Sequence, residues 1–432
     1  MIKFPEGFVW GAATSSYQIE GSDPADGRGE CVWDAFHHNG GVACGHLYQA
    51  DEDVNLMRSI GLQAYRFSIS WPRVIPNGTG SANRKGIEFY DRLIDDLLEA
   101  GIDPWVTLFH WDYPRALFLK GGWLNPDSPA WFADYAARMA IHYGDRVKNW
   151  ITHNEPQVFL QLGHVEGTHA PGMKYSWRDA LLCAHNVLLS HGMAVMELRN
   201  LCGEPSVGMA HAMGADYPHD ANSVEAARNS NFSVSRKDFW NGSWFSDPIF
   251  FGRYPEDGAE LYGNDMPKIG QGDMKIISQP VDFQGLNIYR GNAIDRGGEV
   301  PYRTGGPITT FQWNITPESL YWGPRFMEER YGCPIVITEN GMANPDWKHL
   351  DGGVHDPQRI DFMARHLEEL RLSIRDGIDI RGYFHWSLMD NFEWAEAYRQ
   401  RFGLIYVDYL TQERTLKDSA YWYKKVIEEN AV

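Results

Sequence analysis

Two glutamates, Glu155 and Glu339, each end a short apolar run and lie beside an asparagine, in the segments 152–156 (THNEP) and 335–341 (IVITENG). Such runs are typical of strands buried on both faces of a parallel sheet. Two carboxylates that meet in space can cleave a glycosidic bond with retention, one as acid and one as nucleophile. A lone glutamate after a strand is more often a helix N-terminal charge or an ion-pair partner. The prediction therefore rests on the pair.

The elements that would position these glutamates are eight strand-like runs, which alternate with helical or loop-rich stretches as in α/β folds. The predicted strands are residues 9–17, 64–70, 105–109, 149–153, 207–211, 282–289, 335–339 and 381–388. Amphipathic helices are predicted at 86–100 and 360–375. The length of 432 residues would suggest two or three domains, but we find no linker. We therefore predict a single (β/α)8 TIM barrel over residues 1–432, with the active site at the carboxyl-terminal rim.

The ends of the predicted strands carry amide, imidazole, indole and carboxylate side chains. These groups can bind sugar hydroxyls and stack on the apolar faces of sugar rings. The residues concerned are Gln18, Glu20, Arg66, His110, Trp111, Asn154, Glu155, Asn287, Tyr289, Glu339, Asn340 and Trp386. Aromatic residues make up 14% of the chain, with 17 Trp, and we expect most of them in the core.

The formal net charge is −18 and the sequence pI is near 5.3, which argues against nucleic acid and against anionic membrane surfaces as partners. The N-terminal residues include no apolar signal segment, and no window of 18 apolar residues occurs. The five cysteines are scattered and odd in number, which favours free thiols. We therefore expect a soluble, cytoplasmic protein.

Cofactor and metal sites have little support in the sequence. Cys44 and His46, with His37 and His38 nearby, lack the paired ligand spacing of zinc modules. No glycine-rich phosphate loop follows the first strand. We predict neither a metal nor a cofactor.

The chain resembles glycoside hydrolase family 1, the β-glucosidase and β-galactosidase family, from Phe4 to about Trp422. The motifs that carry the resemblance are 8–14 (FVWGAAT), 65–73 (YRFSISWPR), 109–112 (FHWD), the two glutamate segments and 402–408 (FGLIYVD). The resemblance implies a (β/α)8 barrel and retaining hydrolysis. Glu155 would be the general acid and base after strand four, and Glu339 the nucleophile after strand seven.

The resemblance also implies roles for the residues around the two glutamates. Arg66 and Tyr289 would keep Glu339 ionised and oriented, and Trp386 would stack beneath the sugar ring. The implied substrate-binding residues are Gln18, His110, Trp111, Asn154, Asn287, Trp313, Trp386, Glu393, Trp394 and Phe402. Among them, Trp313 is a candidate platform for the leaving group, although a core tryptophan fits the sequence nearly as well.

Glu393 bears on the sugar that is bound. In the family pattern, an acid here accepts hydrogen bonds from the hydroxyls at positions 4 and 6, whereas branches that hydrolyse 6-phospho-sugars use Ser and Lys around this loop. A carboxylate would repel a phosphate.

The chain departs from the family pattern in two places. It lacks the usual Asp, Tyr and Arg at Gly45, Leu47 and Gln49, which concerns local rigidity. Gln157 replaces a common Trp and is expected to open or polarise the entry on the leaving-group side. His164 and His169 are further candidates there, although ordinary loop histidines fit the sequence better.

The sequence thus predicts a retaining β-glucosidase that acts on β-glucosides and short β-linked oligosaccharides such as cellobiose. Activity on β-galactosides or β-fucosides is left open, as is the oligomeric state. The alternatives are a 6-phospho-β-glucosidase, a catalytically silent sugar-binding barrel and a barrel enzyme of unrelated chemistry.

Overall fold

The structure, a computed structural model, describes residues 3–36 and 40–432. His37 and His38, considered above as metal ligands, lie outside the described residues. Eight parallel strands close into a barrel. They are β1 (Val9–Ala13), β2 (Ala64–Ser68), β3 (Asp103–Phe109), β4 (Asn149–Asn154), β5 (Ser206–Ala212), β6 (Phe283–Asn287), β7 (Ile335–Asn340) and β8 (Ile380–Trp386). The predicted barrel is confirmed.

The barrel closes where β1 pairs with both β2 and β8. Gly11 is opposite Ala64 on one side and Phe384 on the other. A Cβ atom at Gly11 would lie 2.5 Å from the Phe384 ring and 2.8 Å from the Ala64 carbonyl oxygen. The two neighbouring strands can approach this closely only because residue 11 has no side chain.

All eight predicted strands occur, but the first is wrong at its end. The prediction continued this strand through residues 14–17 (TSSY), which include a β-branched and an aromatic residue, whereas β1 stops at Ala13 and residues 16–20 form a buried helix. The second, sixth and eighth strands also end two residues earlier than predicted, at Ser68, Asn287 and Trp386. The predicted residues beyond these ends lie in the loops at the barrel rim.

Helices surround the barrel and also occur within its loops. The α-helices are α1 (Ser16–Glu20), α2 (His46–Ile60), α3 (Trp71–Val74), α4 (Arg84–Glu99), α5 (Arg115–Phe118), α6 (Ser128–Tyr143), α7 (Pro156–Leu160), α8 (Trp177–Leu201), α9 (Val224–Phe232), α10 (Ser246–Phe251), α11 (Glu256–Tyr262), α12 (Asp273–Ile277), α13 (Ser319–Tyr331), α14 (Pro357–Arg375) and α15 (Asp418–Glu429). The two predicted amphipathic helices correspond to α4 and α14. Each turns its apolar stripe toward the barrel.

Short elements complete the loops. Single helical turns of other types are Gly122–Leu124, Gln161–Glu166, Gly263–Asp265 and Trp394–Glu396. A small three-stranded sheet consists of Tyr217–Pro218, Ala293–Asp295 and Gly298–Val300. A two-stranded sheet pairs Ile405–Val407 with Arg414–Leu416.

Aromatic rings fill part of the barrel interior. The ring centroid of Trp105 lies 5.3 Å from that of Phe283 and 5.1 Å from that of Phe384. These side chains belong to one buried apolar cluster with Val336 and Trp386. The interior is therefore a packed core, and polar groups are left to the carboxyl-terminal rim.

Helix α8 is the one helix in the described residues that is long and apolar enough to cross a membrane by length and composition. The sequence analysis did not single it out. Its most apolar window has a mean hydropathy of 1.3, and 72% of that window is buried inside the fold. This burial is typical of a core helix.

Candidate active site

The two glutamates stand at the rim of the barrel on β7 and directly after β4. Glu339 is within β7 and is opposite Asn287 at the end of β6. Glu155 follows β4, and its backbone amide donates to the Ala210 carbonyl oxygen at 2.8 Å. Its φ of 49° is in the left-handed region, which is uncommon for a residue with a side chain and occurs often at functional sites.

Glu339 contacts a cation and a phenol. Arg66 Nη1 donates to Glu339 Oε1 at 2.6 Å, and the Tyr289 hydroxyl donates to Oε2 at 2.8 Å. Burial raises the pKa of Glu339, while Arg66 and Tyr289 lower it. Of the two glutamates, Glu339 is therefore the one whose charged form is stabilised by a cation in direct contact.

Glu155 has a less polar environment. Asn287 Nδ2 donates to its Oε1 at 2.9 Å, and no cation of the described residues forms a salt bridge with it. Burial, and secondly the charge on Glu339, raise the pKa of Glu155 to about 8. A carboxyl group in this setting keeps its proton near neutral pH and can act as a general acid.

Asn154 connects the two glutamates. Its Oδ1 accepts from Arg66 Nη2 at 2.6 Å and from Asn287 Nδ2 at 3.0 Å. Its Nδ2 lies 3.1 Å from His110 Nε2. Burial, with Arg66, keeps the pKa of His110 well below its usual range, so the ring is neutral. Nδ1 of this ring is buried and has no hydrogen-bond partner among the described residues.

A second polar group lies on α1 and the loop after β8. Gln18 Nε2 donates to Asn391 Oδ1 at 3.0 Å and lies 3.3 Å from Glu393 Oε2. Ser15 Oγ donates to Gln18 Oε1 at 2.7 Å and so fixes the orientation of the amide. Burial, and secondly the charge on Glu339, raise the pKa of Glu393 to about 8.

Aromatic rings form two groups around these polar residues. In the first, His110 stacks on Trp386 with ring centroids 5.7 Å apart, and Trp111 lies 4.7 Å from Trp394. Trp111 Nε1 also donates to the Asn154 carbonyl oxygen at 2.9 Å. Flat apolar rings beside buried polar groups are the combination that binds a sugar ring and its hydroxyls.

The second aromatic group surrounds Tyr289. The Trp313 ring lies 5.4 Å from Tyr289 and 6.4 Å from Phe402, and it stacks on Phe311 at 4.5 Å. Trp313 and Phe311 are only partly buried, whereas Phe402 is buried. The partial exposure of this group gives it room to contact a ligand that extends outward from Glu339.

The model of glycosyl hydrolase family 1 matches residues 1–432. The chain belongs to glycosyl hydrolase family 1. It is 44% identical to β-glucosidase A of Thermotoga maritima, over 100% of this chain and 99% of that protein. It is 38% identical to a bifunctional β-D-glucosidase/β-D-fucosidase of Bifidobacterium breve, over 99% of both.

Solved structures agree with this family assignment. The β-glucosidase of Thermotoga maritima in complex with glucoimidazole has a TM-score of 0.92 and 44% identity, over 100% of both chains. Its complex with deoxynojirimycin has a TM-score of 0.93. The family, the barrel and the retaining glycoside hydrolase class predicted from the sequence are confirmed.

In this family 1 barrel, the residues predicted as catalytic or substrate-binding lie at the carboxyl-terminal rim, and most of them contact one another. Hydrogen bonds join Arg66, His110, Trp111, Asn154, Glu155, Asn287, Tyr289 and Glu339. Ring contacts and the Gln18 amide add Gln18, Trp313, Trp386, Glu393, Trp394 and Phe402. The roles of these residues in catalysis stay predictions.

Two strand-end candidates from the sequence, Glu20 and Asn340, have structural partners instead. Glu20 is buried and accepts from Arg73 Nε at 2.8 Å and from the Tyr90 hydroxyl at 2.8 Å. Asn340 Nδ2 donates to the Ile288 carbonyl oxygen at 2.8 Å. Successive side chains along a strand point to opposite sides. Asn340 directly follows Glu339, which faces inward, so the Asn340 side chain points away from the site.

The expected roles at the leaving-group entry need correction. Gln157 is buried, and its Oε1 accepts from the Ala212 amide at 3.3 Å, so it neither opens nor polarises the entry. His164 is buried against the Phe159 carbonyl oxygen. His169 packs edge-on against Trp111 and Trp33. These three residues follow the segment 152–156 in the chain, but their place in the sequence did not show in which direction their side chains point.

The sequence analysis missed Asn391 and Phe311 as site residues. Asn391 lies two residues before Glu393, and its Oδ1 accepts from the Gln18 amide. Phe311 is two residues from Trp313, and this aromatic spacing was the available signal.

A metal site remains without support. Among residues 3–36 and 40–432, no group of three or more His, Cys, Asp or Glu side chains could hold a metal ion. All five cysteines are free and buried.

Proposed function

We propose that this family 1 enzyme is a retaining β-glucosidase that removes terminal nonreducing β-D-glucosyl residues. The observation that carries the proposal is the contrast between two buried carboxyl groups at one rim, Glu339 on Arg66 and Glu155 without a cation. Unequal environments of this kind separate an acid from a nucleophile. The relatives named β-glucosidase support the sugar assignment.

In the proposed first step, ionised Glu339 attacks the anomeric carbon while Glu155 donates its proton to the glycosidic oxygen. The bond to the leaving group breaks, and a covalent glycosyl-enzyme forms with inversion. The negative charge on Glu339 is then gone. Because that charge is one of the causes that raise the pKa of Glu155, the departure of the leaving group leaves Glu155 as a stronger acid and a stable carboxylate.

In the proposed second step, Glu155 takes a proton from water, which attacks the anomeric carbon. The bond to Glu339 breaks, and a second inversion gives net retention. Both glutamates return to their starting protonation states. Arg66 and Tyr289 stabilise Glu339 as a leaving carboxylate in this step, as they do in the free enzyme.

Gln18, His110, Asn154, Glu393 and Trp394 are proposed to bind the hydroxyls of the glucosyl group, with Trp386 beneath its ring. Asn287, which donates to Glu155, would contact the sugar near its 2-hydroxyl. Trp313, with Phe402 nearby, would face the leaving group, and Trp111, which packs on Trp394, would line the glucosyl side. The substrates would be aryl β-glucosides and short β-linked oligosaccharides such as cellobiose.

Phosphorylated sugars do not suit this site. Glu393 is buried, and its side-chain hydrogen-bond partner among the described residues is the Gln18 amide and not a lysine or an arginine. A 6-phosphate beside it would therefore be desolvated without a cation to pair with it. β-Fucosides, which lack the 6-hydroxyl, and β-galactosides, which differ at position 4, are reasonable secondary substrates. A relative carries the name β-D-glucosidase/β-D-fucosidase.

The test is hydrolysis of p-nitrophenyl β-D-glucopyranoside beside its β-galactoside, β-fucoside, α-glucoside and 6-phospho-β-glucoside, with the released anomer followed by NMR. Initial release of β-glucose supports the proposal. Initial α-glucose contradicts retention, and activity confined to the phosphorylated compound contradicts the role of Glu393. Binding of glucose without any hydrolysis would favour the silent sugar-binding barrel.

The absence of nucleic-acid and membrane partners stays a proposal that rests on the net charge of −18. A cytoplasmic location stays a proposal too, supported by five cysteines that are all free thiols.

A further inference from the structure

A group of six charged side chains is buried next to the active site, behind the loop that follows β8. It has three acids and three bases, and five of the six side chains are 0% exposed, with Arg401 at 16%. We call it the charged cluster. Its members are Asp346, Asp356, Arg359, Asp390, Arg401 and Lys417.

Within the charged cluster, Asp390 joins the two ends of the loop 391–402. Its Oδ2 accepts from Arg401 Nη1 at 2.6 Å, and its Oδ1 accepts from the Gly403 amide at 3.0 Å. A Cβ atom at Gly403 would lie 2.1 Å from the Asp390 nitrogen. The close approach of the backbones and the carboxylate together hold the end of the loop against its beginning.

The charged cluster also ties this loop to the one after β7. Lys417 Nζ donates to Asp390 Oδ1 at 2.7 Å and to Asp346 Oδ2 at 2.6 Å. Arg359 Nη2 donates to Asp346 Oδ2 at 2.6 Å and to the Arg401 carbonyl oxygen at 3.0 Å. Buried ion pairs therefore connect the loop after β7, the strand that carries Glu339, to the loop after β8.

The loop 391–402 carries much of the proposed sugar-binding surface. Asn391 and Glu393 contact Gln18, and Trp394 packs on Trp111. Trp394 and Ala397 have φ values of 45° and 52°, in the left-handed region. Such conformations persist only where the surrounding structure imposes them, so this loop needs an external constraint.

Stability alone does not require these charges. Buried ion pairs contribute little net stability, and well-packed apolar residues often replace them without loss. An apolar side chain at position 390, however, could not accept hydrogen bonds from the Gly403 amide, Arg401 and Lys417 at once, as the Asp390 carboxylate does. The geometry of the charged cluster thus specifies a loop conformation.

We propose that Asp390, through Lys417 and Arg401, is a positioning residue that sets the selectivity of the site for sugars with a hydroxymethyl group at C5. It does so by fixing the loop that carries Glu393, the proposed partner of the hydroxyls at positions 4 and 6. A xyloside keeps the first of these hydroxyls and lacks the second. This inference rests on the proposed function, because it assumes that a β-glucosyl group is the ligand.

The experiment compares kcat and KM for p-nitrophenyl β-D-glucopyranoside and for the β-D-xylopyranoside, which lacks the hydroxymethyl group. The variants are Asp390→Asn and the double variant Asp390→Asn/Lys417→Met. The single variant places an NH2 group against Arg401 or Lys417. The double variant removes one charge of each sign, so the charged cluster stays neutral while the connection is lost.

We expect kcat/KM for the glucoside to fall about 10- to 100-fold in both variants, because the buried hydrogen bonds proposed between Glu393 and the glucosyl hydroxyls are misplaced together. The xyloside should lose about threefold or less, so its ratio to the glucoside rises. Melting temperature should recover partly in the double variant. If Asp390 had only a structural role, the ratio of kcat/KM for the glucoside to that for the xyloside would recover in the double variant together with the melting temperature.

The matched control is Asp247→Asn. Asp247 is also a buried carboxylate with an arginine partner, Arg330 Nη2 at 2.8 Å, but it contacts none of the site residues. The control should lose stability without a change in the glucoside to xyloside ratio. An unchanged ratio in the folded Asp390 variants would overturn the inference. If the wild-type enzyme did not hydrolyse the glucoside, the proposed function would fail instead.

Discussion

Glu155 and Glu339 occupy the same rim of the same barrel, yet their surroundings differ. Glu339 accepts from a guanidinium and a phenol, while Glu155 accepts from one amide, that of Asn287. Both are buried, so desolvation raises the pKa of both. The comparison teaches that burial makes a carboxyl group hard to ionise, and that the neighbouring cation decides which of two buried groups ionises first.

The same contrast explains why one pair can act in both steps. Arg66 and Tyr289 remain in place when Glu339 is esterified, while Glu155 loses a negative neighbour. The pKa of Glu155 therefore depends on the state of Glu339, whereas the partners of Glu339 are permanent. Four experiments test or sharpen this difference.

Replacing Glu339 with glycine has the largest expected effect. Hydrolysis should fall by about 10⁴-fold or more, because no nucleophile remains. Added azide should restore turnover of an activated aryl glucoside and give the inverted glycosyl azide, detected by NMR. Glu339→Gln is the matched control, since its amide fills the space and azide should not rescue it. Ordinary hydrolysis by Glu339→Gly would contradict the assignment.

Replacing Glu155 with alanine should have an effect that depends on the leaving group. Cellobiose hydrolysis should fall about 10³-fold, because its leaving oxygen needs a proton. Formation of the glycosyl-enzyme from 2,4-dinitrophenyl β-glucoside should change about tenfold at most, since that leaving group departs without protonation. Pre-steady-state release of dinitrophenol measures this step. Equal losses for both substrates would count against Glu155 as the acid.

Replacing Arg66 with methionine should remove the difference between the two carboxyl environments. The pKa of Glu339 should rise, so the acidic limb of the kcat/KM profile should move to higher pH. The loss at the optimum should be about 100-fold. Arg73→Met removes an equally buried arginine whose partners, Glu20 and Asp26, lie outside the site. An acidic limb that moved as much in Arg73→Met would refute the role of Arg66.

The smallest expected effect concerns stability. The pKa of Glu155 is raised from 4.5 to about 8 by folding. Between these values the folded state holds a proton that the unfolded state releases, so wild-type stability falls as the pH rises through this window. Glu155→Gln has no such dependence and should melt about 2 to 5 °C higher than wild type at pH 8, with the gap closing near pH 4.5.

Calorimetry at several pH values measures this gap, and exposed Glu30→Gln is the control. A gap that is constant with pH would mean that Glu155 ionises in the folded state as it does in the unfolded one.

The sequence was informative where motif, strand and chemistry coincide. Glu155, Glu339 and Arg66 lie at or near strand ends, and strand periodicity fixes which side they face. It was uninformative for loop side chains. Gln157 was expected at the entry and is buried against β5. The first strand was extended beyond Ala13 because residues 14–17 (TSSY) suit a strand and a helix about equally well.

By itself, the sequence determined the barrel, the family and the residues that could do chemistry, because strand and helix periodicity and the ordered motifs are local properties of the chain. Only the tertiary structure decided how the two glutamates differ and how the loop after β8 is held. The partners of Glu339 come from β2 and from just after β6, and those of Asp390 from as far as Lys417. A pKa or a loop conformation depends on such distant contacts, which only folding brings together.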